Sequence, residues 1–155
     1  MTRFDELCET YLKLIKGAED YENGCKDFAI KLVDGFSDYL DCGRNDIKIN
    51  ELTLHDDGYY HCAIELTVYE GQDRHSAKGL VPEVSLRISR DGEHFVVRFA
   101  TGTEEYFVSK SGIDNLQSDE YVKIYDGLFR GIKSYYETPV DEFIKRNMKG
   151  NINFG

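Results

Sequence analysis

At 155 residues, with two prolines and no low-complexity tract, the chain is long enough to bury one substantial core and unsuited to extended disorder. Its net charge of −10, from 29 acidic against 19 basic residues, leaves no basic footprint of the kind nucleic-acid binding requires. No stretch approaches the roughly 20 apolar residues of a membrane-spanning helix. The start, Met1-Thr2-Arg3-Phe4-Asp5-Glu6, turns acidic at once, so a cytoplasmic protein without a signal peptide is expected.

Thr2 followed by Asp5 reads as a capping box, and apolar residues then recur at helical spacing: Phe4, Leu7, Cys8, Tyr11, Leu12, Ile15. The rhythm resumes with Cys25, Phe28, Ala29, Leu32, Val33 and Phe36. The phase barely slips between the two runs. One unbroken helix would nevertheless be about 60 Å long at 1.5 Å per residue, wider than a domain of this size. Gly17 and Asn23-Gly24 therefore predict two helices joined near residues 17–24, a single long helix surviving only if it projects into a dimer.

From Ile47 to His55 the apolar parity switches between Ile49 and Leu52, which predicts a β-bulge at Asn50-Glu51. Asp56-Asp57-Gly58 fits a three-residue hairpin loop that sets Leu54 opposite Tyr60 and Leu52 opposite Cys62. The strand after it alternates, with Cys62, Ile64 and Leu66 on one face and His61 and Glu65 on the other. Asp91-Gly92 predicts a type I′ turn that pairs Ile88 with Phe95, Leu86 with Val97 and Val84 with Phe99. A further turn at Gly102-Thr103 would pair Phe99 with Tyr106 and Val97 with Val108. Tyr121, Ile124, Tyr125, Leu128 and Ile132 mark another helical stripe. Thr138-Pro139 is a helix start, followed by Val140, Phe143 and Ile144.

The fold expected is α+β in a single domain, residues 1–155: helical over 1–41, an antiparallel sheet of about five strands over 47–109, and helical over 114–149. Two N-terminal helices and two C-terminal helices would flank the sheet, the latter packed on one of its faces. Gly127 and Gly131 share one helical face, which points to close approach by another element.

No catalytic constellation, metal-ligand spacing or nucleotide loop stands out. Cys8, Cys25, Cys42 and Cys62 form no CxxC pair; the first, second and fourth read as small core residues and Cys42 as a helix-end residue. No cofactor and no metal are expected, so a binding module is expected before an enzyme. The polar sheet face carries His61, Glu65, Tyr69, Arg87, His94, Val96, Arg98, Glu105 and Phe107. Arginine and aromatic residues are enriched at interfaces. Tyr69, Arg87, Arg98 and Phe107, with His61 and Glu65, are the expected contacts to a protein partner, one carrying basic charge. The loop residues Asp73, Arg74 and His75 are a second candidate cluster. The leading functional expectation is a small acidic protein-binding module, an inhibitor, immunity or anti-defence protein or specialised chaperone that occludes its partner. A small-molecule site between sheet and helices, and a self-associating subunit forming a homodimer, are the alternatives.

Overall fold

The computed structural model describes residues 1–71, 79, 83–100 and 102–148. Asp73, Arg74 and His75 lie outside the described residues. The elements run α1 (Arg3–Leu40), a 3₁₀ turn, β1 (Ile47–Leu54), β2 (Tyr60–Leu66), β3 (Glu83–Asp91), β4 (His94–Phe99), β5 (Glu105–Ser109), a second 3₁₀ turn, α2 (Asp119–Tyr136) and α3 (Val140–Met148). The strands form one antiparallel meander in the order β1-β2-β3-β4-β5.

The two expected N-terminal helices are one helix of 38 residues, about 57 Å long. The capping box that starts it is formed: Asp5 N–H donates to Thr2 Oγ1 at 3.1 Å, and Thr2 N–H to Asp5 Oδ2 at 2.9 Å. Gly17 and Gly24 each cost only about 1 kcal/mol against alanine in a helix, less than breaking the backbone ladder. A Glu22–Lys26 ion pair at 2.7 Å spans Asn23-Gly24. A limit set by domain width does not apply, because the first half of the helix runs past the sheet. Residues 1–20 are all exposed, and burial begins at Cys25.

The second half of α1 and helix α2 cover one face of the sheet. Cys25, Phe28, Ala29, Leu32 and Phe36 from α1 meet Tyr60, Cys62, Leu86, Ile88, Phe95 and Val97 from the strands and Tyr121, Ile124, Tyr125 and Leu128 from α2. Phe28 stacks on Phe95 with centroids 4.7 Å apart. At Gly127 an added Cβ would stand 2.8 Å from the Phe99 ring, so this glycine lets α2 lie on the sheet, whereas Gly131 has nothing within 4 Å. Helix α3 stays out of the packed layer over its described side chains: Val140, Phe143 and Ile144 are exposed.

The β1–β2 register follows the sequence, with Leu52 opposite Cys62, Leu54 opposite Tyr60, a bulge between Ile49 and Glu51, and Gly58 at φ 82°. The β3–β4 register is displaced by two residues from expectation. Asp91 pairs with His94, Ile88 with Val97 and Leu86 with Phe99, leaving Gly92-Glu93 as the turn. Gly92 has φ 59°, and Asp41 is the one non-glycine at positive φ among the described residues, so the glycine takes the first central position, the type II′ requirement. The β4–β5 pairs move by two as well, Val97 opposite Tyr106 and Phe95 opposite Val108. An even shift exchanges partners without turning a strand over, so the apolar face is kept.

Candidate interaction surfaces

Two surfaces combine exposure with side chains suited to recognition. The first is the sheet face opposite the helices. One row of paired residues crosses all five strands: Thr53, His61, Arg87, Arg98 and Glu105. Arg87 and Arg98 are direct neighbours, which costs energy unless acids lie nearby. The Arg98 guanidinium lies over the Tyr59 ring at 5.9 Å and reaches Glu105 at 3.9 Å. Phe107 is exposed next to Val96, and His94 meets its ring edge-on at 6.3 Å. Glu65 accepts a hydrogen bond from Asn50 Nδ2 at 2.7 Å and lies 3.5 Å from Lys48 Nζ; the Asn50 bond holds its carboxyl below the usual range. Five of the six expected contacts, His61, Glu65, Arg87, Arg98 and Phe107, thus share this face. Tyr69 is placed apart, donating its hydroxyl to Asp46 Oδ1 at 2.7 Å and bracing the turn before β1.

At the β1–β2 hairpin His55 and His61 stack with ring centroids 3.6 Å apart and planes 9° apart. Glu51 lies 3.0 Å from His55 Nε2 and Asp57 2.8 Å from His61 Nε2. Both carboxyls sit below the ordinary range. For Glu51 the Thr53 hydroxyl contributes most, then His55; for Asp57 the Tyr59 backbone N–H, then His61. Face-to-face rings send their nitrogen lone pairs along parallel planes. Among the described residues no group of three or more His, Cys, Asp and Glu is placed to hold a metal ion.

The second surface is the first half of α1. Phe4, Leu7, Tyr11, Leu12 and Leu14 are each more than half exposed, and Ile15 is 37 % exposed. Steps of seven residues run Phe4, Tyr11, Ala18, Cys25, Leu32 and Leu7, Leu14, Tyr21, Phe28. One apolar stripe therefore continues from the core onto an arm of about 27 Å, residues 3–20, that no sheet underlies. Cys8, expected in a core, is exposed here for that reason. The arm leaves the body at Tyr21, whose hydroxyl donates to the Gly58 carbonyl at 3.5 Å and accepts the Arg90 N–H at 3.4 Å. A groove of about 620 Å³ lies at this root, lined by Gly17, Tyr21, Gly24, Arg90, Phe95 and Lys110 among others. The continuity of the stripe was visible in the sequence as an unslipped phase; the lack of a supporting strand was not.

The space between sheet and helices is filled by Phe28, Phe36, Tyr121 and Tyr125, all at most 2 % exposed. An apolar cleft of about 320 Å³ opens where α1 ends, between Leu40, Leu66, Val68, Phe129, Ile132 and Tyr136. No helix among the described residues is long and apolar enough to cross a membrane. No protein-family model matches this chain, and comparison with curated proteins and with solved structures likewise returned no match.

Proposed function

We propose that the chain is a protein-binding module that docks through the α1 arm. The observation that carries this reading is the stripe Phe4, Leu7, Tyr11, Leu14 and Ile15, which repeats the spacing of the core stripe and remains exposed. Roughly 700 Å² of apolar side chain is presented, more than the 300–600 Å² of the largest patch on an ordinary monomer. A helix with one apolar face is a recurrent docking element, read by its partner at positions i, i+3, i+4 and i+7. The filled interior favours surface recognition over an internal small-molecule site.

The test compares the wild-type chain with a Leu7→Ser, Tyr11→Ser, Leu14→Ser variant, each purified gently at low salt and weighed by native mass spectrometry. These side chains are each more than half exposed, so the melting temperature of the unassociated chain should be unchanged. An associated species, of this chain or another, that the variant loses supports the reading. Equal assemblies in both, or two bare chains at every concentration, overturn it.

The outer sheet face supports a second surface, on the adjacency of Arg87 and Arg98 beside exposed Phe107. It would receive an acidic patch on a partner. Joint Arg87→Glu and Arg98→Glu substitution that leaves partner binding unchanged removes this surface from the proposal.

A further inference from the structure

We infer that the occupant of the arm is the arm of a second copy of this chain, laid antiparallel; this rests on the docking reading above and names its partner. The charge of the arm points to this occupant. Arg3, Asp5, Glu6 and Glu9 give residues 3–10 a net charge of −2, while Lys13 and Lys16 give residues 11–18 a net charge of +2. The two blocks cancel. The −10 of the whole chain therefore resides outside residues 3–18. Glu19 and Asp20 at the root leave residues 3–20 at −2 overall, while the two overlapping blocks meet those of a second copy with the least repulsion. Parallel pairing sets each block against its like. Antiparallel pairing sets −2 against +2 twice, and opposes the two helix dipoles as well.

Packing agrees with that overlay independently. Laying 3–10 of one arm on 11–18 of the other brings Leu7 level with Leu14, and Phe4 level with Gly17 and Ala18. The largest side chain near the start of the arm then faces its two smallest residues. An added Cβ at Gly17 would have nothing within 4 Å, so the receiving side is open. The start of each arm comes to the root groove of the other, where Arg90 and Lys110 stand alongside Asp20 and Asp27, so the groove itself adds no net charge to the pairing. Two arms together present at most about 1,400 Å² for burial, an upper bound that reaches the 1,200–2,000 Å² class of stable interfaces. The apolar area supplies affinity and the charge blocks select orientation.

The experiment is sedimentation of the full chain from about 1 µM to several hundred µM, a range that brackets such an interface. It is followed by carbodiimide cross-linking of a mixture of ¹⁴N- and ¹⁵N-labelled chains. A dimer is expected, weakened about a hundredfold or more by Leu7→Ser with Leu14→Ser at unchanged melting temperature. Mixed-isotope cross-links should join Asp5 or Glu6 to Lys16, residues that lie far apart along the axis in a parallel pair. A strict monomer at every concentration overturns the inference. So does a dimer indifferent to Leu7 and Leu14, or one whose mixed-isotope cross-links omit Lys16. A monomer whose heterologous partner is still lost in the arm variant would sink the self-pairing alone and leave the docking reading standing. Loss of neither kind of association sinks both.

Discussion

A methyl group on Gly35 would stand 1.8 Å from the hydroxyl oxygen of Tyr125, so the crossing of α1 and α2 admits no side chain at this position. Tyr125 would have to shift to make room, although a groove of about 450 Å³ lined by Gly35, Leu116 and Tyr125 opens beside it. Its ring is 2 % exposed, and its hydroxyl donates to the Leu116 carbonyl at 3.0 Å.

Gly35→Ala should therefore destabilise the fold. Overpacking costs about 1–3 kcal/mol, to which a strained Leu116 hydrogen bond adds, against about 1 kcal/mol returned by alanine's helix propensity. Gly17→Ala on the same helix is the matched control, because nothing lies within 4 Å of the new methyl. Urea denaturation should show a lower midpoint for the first, and circular dichroism equal or higher helicity for the second. Equal midpoints for Gly35→Ala and wild type would mean that the helices separate at no cost.

Thiol reactivity should divide the cysteines sharply. Burial pushes the Cys25 thiol up to about 11 and the Cys62 thiol up to about 12, leaving almost no thiolate near neutrality. Cys8 is exposed on the arm, and Cys42 is half-buried, its thiol directed at the Ser37 carbonyl. With a chromogenic disulfide at pH 8, Cys8 should react first, Cys42 more slowly, and Cys25 and Cys62 only on unfolding. Rapid reaction of four thiols in the native protein would contradict the packing of both α1 and β2.

The strands were legible because their signals are local. Alternation in β2 assigned its two faces, and the parity switch between Ile49 and Leu52 located the bulge. The turn lies one residue beyond Asp91-Gly92, since glycine satisfies either a type I′ or a type II′ turn and the sequence does not distinguish them. The unbroken helix differs from expectation for another reason. Local pattern shows that a face is apolar but not whether anything covers it. The same spacing buries Phe28 on Phe95 and leaves Tyr11 exposed. Tyr121 and Tyr125 are legible as a helical stripe, yet the fit of Tyr125 against Gly35 depends on a long-range crossing that no window of sequence contains.

The β1–β2 hairpin should weaken in acid. Glu51 and Asp57 are held below the ordinary carboxylate range in the fold, so the unfolded chain takes up these protons first as pH falls. Their contribution is present above the unfolded pKa of about 4 and is lost as pH drops through the lower folded values. Both groups are exposed, and the effect is local. An NMR titration should show the Tyr59 amide, which donates to Asp57 Oδ1 at 3.0 Å, moving below pH 4. Asp57→Asn should abolish that step. An unchanged titration in Asp57→Asn would place the responsible proton elsewhere.

The arm should behave as a separate unit in hydrogen exchange. Most helical stability in proteins comes from tertiary packing, isolated helices of about 12–15 residues being marginal in water, and residues 3–20 have no tertiary layer beneath them. The core half of α1, from Cys25 to Leu40, should exchange only with global unfolding, whereas arm amides after the first turn should exchange orders of magnitude faster at low concentration. Tyr21 marks the boundary, since its hydroxyl contacts both the β1–β2 and the β3–β4 hairpins. Tyr21→Ala should move the boundary toward Cys25. If two arms pair, protection of residues 6–20 should rise with protein concentration while that of Phe28 and Leu32 stays constant. Arm amides as slow as Leu32 at the lowest concentration would show that a tertiary layer supports the arm within a single chain. Concentration-dependent protection lost in Leu7→Ser with Leu14→Ser would tie it to the stripe.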